Sequence, residues 1–182
     1  MSNTQILEDS ELVKEILTGK LELFEEILNR YERQILVYTK RLLNGNQHDS
    51  EDATSETFFK CYKNIASYNE SYKFSSWLYR IAHNTAVNII RSKSNLFFFD
   101  TDSFWQIPNP TKDESPITKD ELEKVLDSLK FEEKNILILF YLNEKSLREI
   151  GDILKITDNS VAQKLSRARK KAKEIITKQF AL

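Results

Sequence analysis

Residues 72–93 read YKFSSWLYRIAHNTAVNIIRSK, and this stretch decides how the rest of the chain can fold. Ser75 and Ser76 are both good N-cap residues, so a helix is predicted to open at one of them. One face of that helix carries residues that repeat every three or four positions, namely Leu78, Ile81, Ala82, Thr85 and Ile89. The pattern predicts a helix that buries one side in a helical bundle.

A neighbouring stripe of the same helix is amide-bearing, cationic and aromatic. It contains, again at spacings of three or four, Trp77, Arg80, Asn84, Asn88 and Arg91. No Asp or Glu occurs between residues 71 and 99, although 30% of the chain is charged. Cations neutralise phosphates, amides read base edges and rings stack on unpaired bases, so the stripe indicates nucleic-acid binding. The alternative is a solvated helix face that simply lacks acids.

Composition limits the class of protein. The 182 residues, of which 40% are hydrophobic, allow one domain or two small ones, and three Gly and three Pro favour long helices. The single cysteine, Cys61, can form no internal disulfide and is expected to be a small buried hydrophobe. Neither a signal-peptide pattern nor an apolar run of ~18 residues is present, which predicts a soluble, cytoplasmic protein.

No catalytic or metal-binding motif stands out. The two histidines, His48 and His83, belong to no cluster with cysteine or acids, and no Gly-rich phosphate loop occurs. We therefore expect no enzyme activity, no cofactor and no metal, and we expect His83 at a surface or an interface. Charge is uneven along the chain: residues 1–30 hold seven acids and three bases, whereas residues 146–182 hold nine bases and four acids. The local excess of basic residues in the C-terminal part indicates a surface that can bind nucleic acid.

The N-terminal half predicts a four-helix bundle. Residues 10–43 form one or two helices with a turn at Gly19, the sequence Asn-Gly-Asn at 44–46 ends this part, and a third helix covers about 49–65. Within the third helix, Phe59 and Tyr62 are expected to point inward with the other apolar residues. A polar loop then delivers Tyr72 and Phe74 to the start of the central helix.

Helical periodicity is lost between residues 94 and 116, where all three prolines lie, so this part is predicted to be a linker. Its aromatic residues either pack back onto the first domain or order on a partner: Phe97, Phe98, Phe99, Phe104 and Trp105. A second domain begins at Thr118, which forms a capping box with Glu121. A second capping box, Ser146 with Glu149, opens a later helix.

The chain ends in a predicted helix-turn-helix, in which Thr157 caps a basic last helix. The inner side of that helix repeats small and apolar residues, Val161, Leu165, Ala168 and Ala172. The opposite side offers short polar groups followed by cations, as a DNA recognition helix requires, and includes Asn159, Ser160, Gln163, Lys164 and Arg167. Membrane-surface binding fits less well, because the apolar side lacks large aromatic residues before Phe180.

Three segments in order resemble the extracytoplasmic-function (ECF) class of bacterial sigma factors within the sigma-70 family. FSSWLYRIAHNTAVNII is similar to the promoter-melting helix, SLREIGDILKITDNSVAQKLSRARKKA to the fourth conserved region, and SEDATSETFFKCY to the polymerase-binding helix. The resemblance covers nearly the whole chain. It implies an all-α protein with a sigma-2-like domain at 1–94, a Pro-containing linker at 95–117, and a sigma-4-like domain at 118–182.

The resemblance also implies a function and its residues. The first domain would bind the clamp helices of the RNA polymerase core through Asp52, Ser55, Glu56 and Phe59. It would open the minus-ten element with Tyr72, Phe74, Ser76, Trp77, Arg80, Asn84, Asn88 and Arg91. The second domain would lie by the polymerase flap and read the minus-thirty-five element as duplex DNA through Asn159, Ser160, Gln163, Lys164 and Arg167. Other implied partners are an anti-sigma factor or another recruiting protein, and the free chain would be a monomer.

Some positions depart from the family pattern. Ser55 stands where Gln is usual, Lys155 where a turn Gly is common, and Ala162 where Lys or Arg is typical. Two other hypotheses remain at this point. A stand-alone helix-turn-helix regulator would bind a palindromic duplex without polymerase. A protein-interaction module would need neither Trp77 nor Arg167.

Overall fold

The computed structural model describes residues 7–93 and 117–180, and in these ranges the regular structure is helical throughout, without strands. The all-α prediction is therefore confirmed. The predicted linker, with its five large aromatic residues, lies outside the described residues except for Ile117, which is buried.

The first unit contains four α-helices: α1 (Asp9–Leu17), α2 (Phe24–Leu42), α3 (Gln47–Asn64) and α4 (Phe74–Lys93). Short 3-10 turns precede α2 (Leu21–Leu23) and follow α3 (Ile65–Ser67). The turn predicted at Gly19 is confirmed, because Gly19 has a φ of 108°, which a residue with a side chain rarely adopts. Asn46 caps α3 by accepting a hydrogen bond from the backbone N–H of Asp49 at 3.0 Å.

The core of this unit lies where α2, α3 and α4 meet. Its members with no more than 1% exposure on these helices are Ile27, Ile35, Tyr38, Ala53, Cys61, Leu78, Tyr79, Ala82 and Ala86. Each fully buried aliphatic side chain contributes about 1.5–3 kcal/mol to folding. The expected inner face of α4 is thus largely confirmed. The inward placement of Phe59 and Tyr62 is wrong, because both rings lie on the surface of α3.

The second unit contains α5 (Lys119–Val125), α6 (Phe131–Leu137), α7 (Leu147–Leu154) and α8 (Asp158–Phe180). A 3-10 turn (Leu126–Ser128) follows α5, and a π-helical turn (Ile138–Leu142) extends α6. Both predicted capping boxes are present, at Thr118 with Glu121 and at Ser146 with Glu149. Thr157 accepts a hydrogen bond from the backbone N–H of Ser160 at 3.2 Å, as a cap of α8.

A tight turn sets the angle between α7 and α8. Lys155 occupies the left-handed region with a φ of 56°. A Cβ placed on Gly151 would lie 2.8 Å from the carbonyl oxygen of Ile156, so only glycine allows this approach. The residues predicted for the inner side of α8, Val161, Leu165, Ala168 and Ala172, are all buried. The helix-turn-helix prediction is confirmed.

The two units touch, since α4 packs against α7 and α2 against α6. Their contact covers part of the central helix, which therefore belongs to the core of the first unit and also to the seam between the units. This arrangement determines which faces of α4 stay open to a partner.

Candidate nucleic-acid and polymerase interfaces

An open groove of about 600 Å³ lies between α3 and α4. Its lining includes all four residues that the resemblance assigns to core binding, Asp52, Ser55, Glu56 and Phe59. Phe59 is 55% exposed, and the Lys63 ammonium lies 4.8 Å from its ring centre. Lys60 spans the groove, 3.2 Å from Glu56 and 3.4 Å from the Thr85 hydroxyl. An exposed ring with a charged rim is a surface suited to a protein partner.

The start of α4 is organised by aromatic packing. Phe74 contacts the rings of Tyr31, Tyr68 and Trp77 at centroid distances of 5.8, 5.4 and 5.7 Å. The expectation that Trp77 shares an open stripe with Arg80 is wrong, because Trp77 and Phe74 are buried in this cluster. Ser76 is also buried, and its hydroxyl has no hydrogen-bond partner among the described residues.

The physical reason lies at the N-terminus of the helix. The backbone N–H of Trp77 bonds to the carbonyl of Lys73 at 3.2 Å, so α4 opens at Phe74 and not at Ser75 or Ser76. The earlier start leaves no serine cap, and the first turn places two large rings, Phe74 and Trp77, three positions apart on the inner face. Tyr72, just before the helix, is exposed. The Tyr68 hydroxyl donates to the Tyr72 carbonyl at 2.7 Å and so ties the loop to the cluster.

Farther along α4 the polar stripe is more open. Asn84, Asn88 and Arg91 are exposed and Arg80 is half-buried. Asn84, Asn88 and Arg91 line a groove of about 570 Å³ whose opposite wall belongs to the second unit and includes Lys164 of α8. The groove brings together residues that were predicted to read two separate promoter elements.

The outer side of α8 forms the second predicted DNA surface. Asn159, Gln163, Lys164 and Arg167 are exposed, whereas Ser160 is half-buried and its hydroxyl lies 2.9 Å from that of Thr157. Lys164 pairs with Glu132 at 3.3 Å. The N-terminal turn of α8 thus offers amides and the next turns offer cations, which is the order that a major-groove helix uses.

The polar seam between the units was not predicted. Asn135 of α6 is 2% exposed, accepts a hydrogen bond from the Tyr38 hydroxyl at 2.9 Å, and has its amide nitrogen 3.1 Å from Nδ1 of His83. Asn143 donates to the Tyr79 hydroxyl at 2.9 Å. In the sequence, the only signal was a pair of amides at the two ends of the apolar run 136–142.

Charged contacts surround this seam. Lys134 is 2% exposed and donates to Asn44 of the first unit and to Asp127, the latter at 2.9 Å. Lys73 pairs with Glu149 at 3.0 Å, and Arg41 also pairs with an acid of the second unit, Glu123. Hydrogen bonds and ion pairs of this kind are typical of reversible interfaces between domains.

Burial shifts several pKa values in this region. It lowers the pKa of His83 to about 4, so the imidazole at the seam is neutral at neutral pH. Burial raises the pKa of Tyr79 to about 12, against a smaller lowering effect from Asn143. The pKa of the Cys61 thiol rises to about 12 because the residue is buried, as the sequence predicted. His83 contacts Asn135 of the second unit and is an interface residue, as expected.

Two negative findings hold for the part of the chain that the structure describes. No cluster of three or more His, Cys, Asp or Glu side chains there could hold a metal ion. None of its helices combines the length and the apolar character that a membrane span requires.

The fold and the two surfaces are those of a two-part helical protein of the DNA-binding class, with an exposed groove between α3 and α4. Comparison with known families agrees: the description Sigma-70 region 2 matches residues 27–95, and Sigma-70, region 4 matches residues 119–171. The chain is 32% identical over 170 residues to the ECF RNA polymerase sigma factor SigW of Bacillus subtilis (strain 168), covering 86% of this chain and 90% of SigW. The chain belongs to the ECF sigma factors of the sigma-70 family.

Other relatives span the same length. The ECF RNA polymerase sigma-E factor of Haemophilus influenzae is 26% identical over 176 residues, covering 90% of this chain and 92% of that protein. Among solved structures, CnrH in complex with the cytosolic domain of CnrY aligns with a TM-score of 0.68 at 18% identity, over 92% of this chain and 96% of CnrH. RpoE in complex with the anti-sigma factor NepR from Bartonella quintana aligns with a TM-score of 0.62 at 17% identity, over 85% and 96%. These two structures share the fold.

Proposed function

We propose that this sigma factor binds RNA polymerase core through the α3–α4 groove and directs promoter-specific initiation, without catalytic chemistry of its own. The observation that carries the proposal is the groove itself. It presents Asp52, Ser55, Glu56 and Phe59, which the family resemblance assigns to core binding, on one open face. An exposed phenylalanine in a ring of charges is a typical interface anchor. Polymerase and chromosome share the cytoplasm, which is where such a factor acts.

The minus-ten element is assigned to the loop before α4 and to the polar stripe that follows. Tyr72 is 43% exposed and free to stack on an unpaired base, a contact that contributes about 1–3 kcal/mol. Flipping a base out of the duplex costs a few kcal/mol, so one such contact offsets much of that cost. Phe74 and Trp77 contribute indirectly, because their rings pack against Tyr68, which is hydrogen-bonded to the loop. Arg80, Asn84, Asn88 and Arg91 continue the path for the separated strand.

The minus-thirty-five element is assigned to α8. Asn159 and Gln163 present amides suited to base edges, and Lys164 and Arg167 present cations suited to phosphates. Ala162 carries no charge where the family usually has one, which predicts a weaker upstream contact than in relatives with a cation there. An anti-sigma partner stays a prediction for this chain.

A run-off assay tests the proposal. Bacterial core polymerase with the purified chain should initiate at defined sites on a genomic template library, as read by sequencing of transcript 5′ ends, and core polymerase alone should not. Phe59→Ala should weaken core binding about tenfold or more, because buried interface aromatics commonly contribute 2 kcal/mol or more. The matched control is Leu17→Ala, an exposed apolar residue on α1 outside the groove. Equal effects of the two substitutions would contradict the assignment.

The competing hypothesis of a stand-alone regulator makes an opposite prediction. Such a protein binds a palindromic duplex tightly without polymerase, with half-sites about one helical turn apart. A gel shift with duplex promoter fragments should show tight complexes only when core polymerase is present. Tight binding by the chain alone would favour the regulator.

A further inference from the structure

Lys73 follows Tyr72 and directly precedes α4, and its side chain forms an ion pair with an acid of the second unit. Its ammonium is 3.0 Å from the carboxylate of Glu149, which belongs to α7 of the helix-turn-helix. The Lys73 side chain is 70% exposed and that of Glu149 only 14%, so the carboxylate is fixed and the lysine reaches out to it. The pair joins the element predicted to melt DNA to the element that supports upstream recognition.

Glu149 is held firmly in place. Its carboxylate accepts hydrogen bonds from the hydroxyl and the backbone N–H of Ser146, at 2.7 and 3.0 Å. Burial alone would raise its pKa, but these bonds and Lys73 outweigh burial and lower the pKa to about 2. The carboxylate is therefore ionised at neutral pH. One of its oxygens lies at the distance from the Lys73 ammonium that a bound phosphate oxygen would take.

The surroundings of Lys73 suit a DNA strand once the second unit moves away. The stretch 71–99 contains no acid, so nothing within it repels phosphates. Tyr72 is exposed and tied to Tyr68, which positions a stacking surface beside the lysine. A cation next to a stacking ring is the usual arrangement for binding unpaired strands.

The seam between the units keeps Glu149 at this position. Asn135 bridges Tyr38 and His83 across the seam, and Lys145 lies 4.7 Å from the centre of the Tyr79 ring and 3.3 Å from the Ser75 hydroxyl. These contacts are all between α6 or the segment before α7 on one side and the first unit on the other. Glu149 therefore stays beside Lys73 for as long as the two units remain in contact.

We propose that Lys73 contacts a backbone phosphate of the unpaired promoter strand, and that Glu149 occupies it in the free chain, so that the chain's own helix-turn-helix unit competes with DNA. The inference rests on the proposed function of α4 in strand capture. It adds a DNA contact outside the residues assigned above and a reason for the free chain to bind DNA weakly.

Two substitutions break the same ion pair but should have opposite effects on DNA binding. Glu149→Gln keeps the capping box, since Gln also serves at this position, and removes the competing charge. It should shift the chain towards the open form and increase its affinity for a 12-nucleotide oligothymidylate about two- to fivefold, which is the size of effect expected from an exposed ion pair. Lys73→Met should shift the chain towards the open form to the same extent but should bind the oligothymidylate no more tightly than wild type does. The slope of log affinity against log salt concentration should be shallower by ~0.7.

Opening is measured by energy transfer between dyes on Glu25→Cys and Glu174→Cys, both at exposed positions on different units. The native Cys61 is buried and stays unlabelled. Binding is measured by fluorescence anisotropy of the oligothymidylate at low salt. The matched control is Glu121→Gln, the equivalent capping-box residue of α5, which should change neither readout. Lys73→Arg should behave like wild type.

Either of two results overturns the inference. Equal gains in DNA affinity for Glu149→Gln and Lys73→Met would show that Lys73 is only part of a latch and contacts no phosphate. No difference between Glu149→Gln and Glu121→Gln would show that no competition exists. Both measurements use the free chain, whereas failure of the proposed function would appear separately as absence of initiation by wild-type protein with core polymerase.

Discussion

Mild acid is predicted to destabilise the folded chain through His83. Burial lowers its pKa to about 4 in the folded state, and histidine in an unfolded chain titrates at about 6.5. The unfolded chain therefore binds the proton first as the pH falls. The stability contribution is complete above about pH 6.5 and is lost progressively towards about pH 4. Between pH 7.5 and pH 5.0 this linkage amounts to about 2 kcal/mol.

The measurement is urea denaturation, followed by far-UV circular dichroism, at pH 7.5 and pH 5.0 for wild type and His83→Gln. The glutamine oxygen can still accept the Asn135 hydrogen bond but does not titrate. Charged groups around the imidazole, Arg91, Glu132 and Lys164, line the same groove and are present in both proteins, so their own effects cancel in the comparison. The wild-type-minus-variant difference in unfolding free energy should fall by about 2 kcal/mol at the lower pH. A difference that is equal at the two pH values would refute the reasoning.

Three further predictions concern packing and reactivity. Gly151→Ala should lower the unfolding free energy by about 1–3 kcal/mol in urea titrations, because its Cβ would meet the Ile156 carbonyl; an unchanged midpoint would contradict this. Asn135→Ala should cost about 2–4 kcal/mol by the same method, because it leaves the Tyr38 hydroxyl and the His83 ring unpartnered; a loss below ~0.5 kcal/mol would mean that water replaces the amide. Cys61 should not react with Ellman's reagent in the native protein at pH 8 but should react fully in denaturant; rapid native labelling would show that the first unit opens readily.

Local chemistry in the sequence predicted most of the fold. The capping boxes at Thr118 and Ser146, the turn at Gly19 and the inner side of α8 depend on residues within one or two helical turns of each other, so their pattern is visible without a structure. The family resemblance assigned Asp52, Ser55, Glu56 and Phe59 to one surface, and the structure has these residues in the lining of the α3–α4 groove. Its open character could not be read from periodicity alone, which assigned Phe59 to the interior.

Two features depended on distant contacts and were missed. The spacing of Trp77 fits an open stripe. In the structure the Tyr31 and Tyr68 rings pack against Phe74, and the Tyr68 ring also packs against Trp77, so this part of the stripe is buried. In the sequence, Asn135 is only a polar residue that precedes the apolar run 136–142. Its role is visible only in the folded chain, because its partners are distant in sequence. Tyr38 lies 97 positions earlier and His83 lies 52 positions earlier.

The chemistry of the seam suits an association that can be broken and re-formed. A hydrogen bond contributes only about 0.5–1.5 kcal/mol net, because water can replace either partner when the units separate. Opening therefore returns the Tyr79 hydroxyl, the His83 imidazole and the Lys134 ammonium to solvent, where each is well hydrated. A large protein surface that binds the α3–α4 groove and the second unit at separate points can supply the energy to open such a seam. DNA alone would have to displace Glu149 and the buried amides at once, which favours promoter binding after polymerase and not before it.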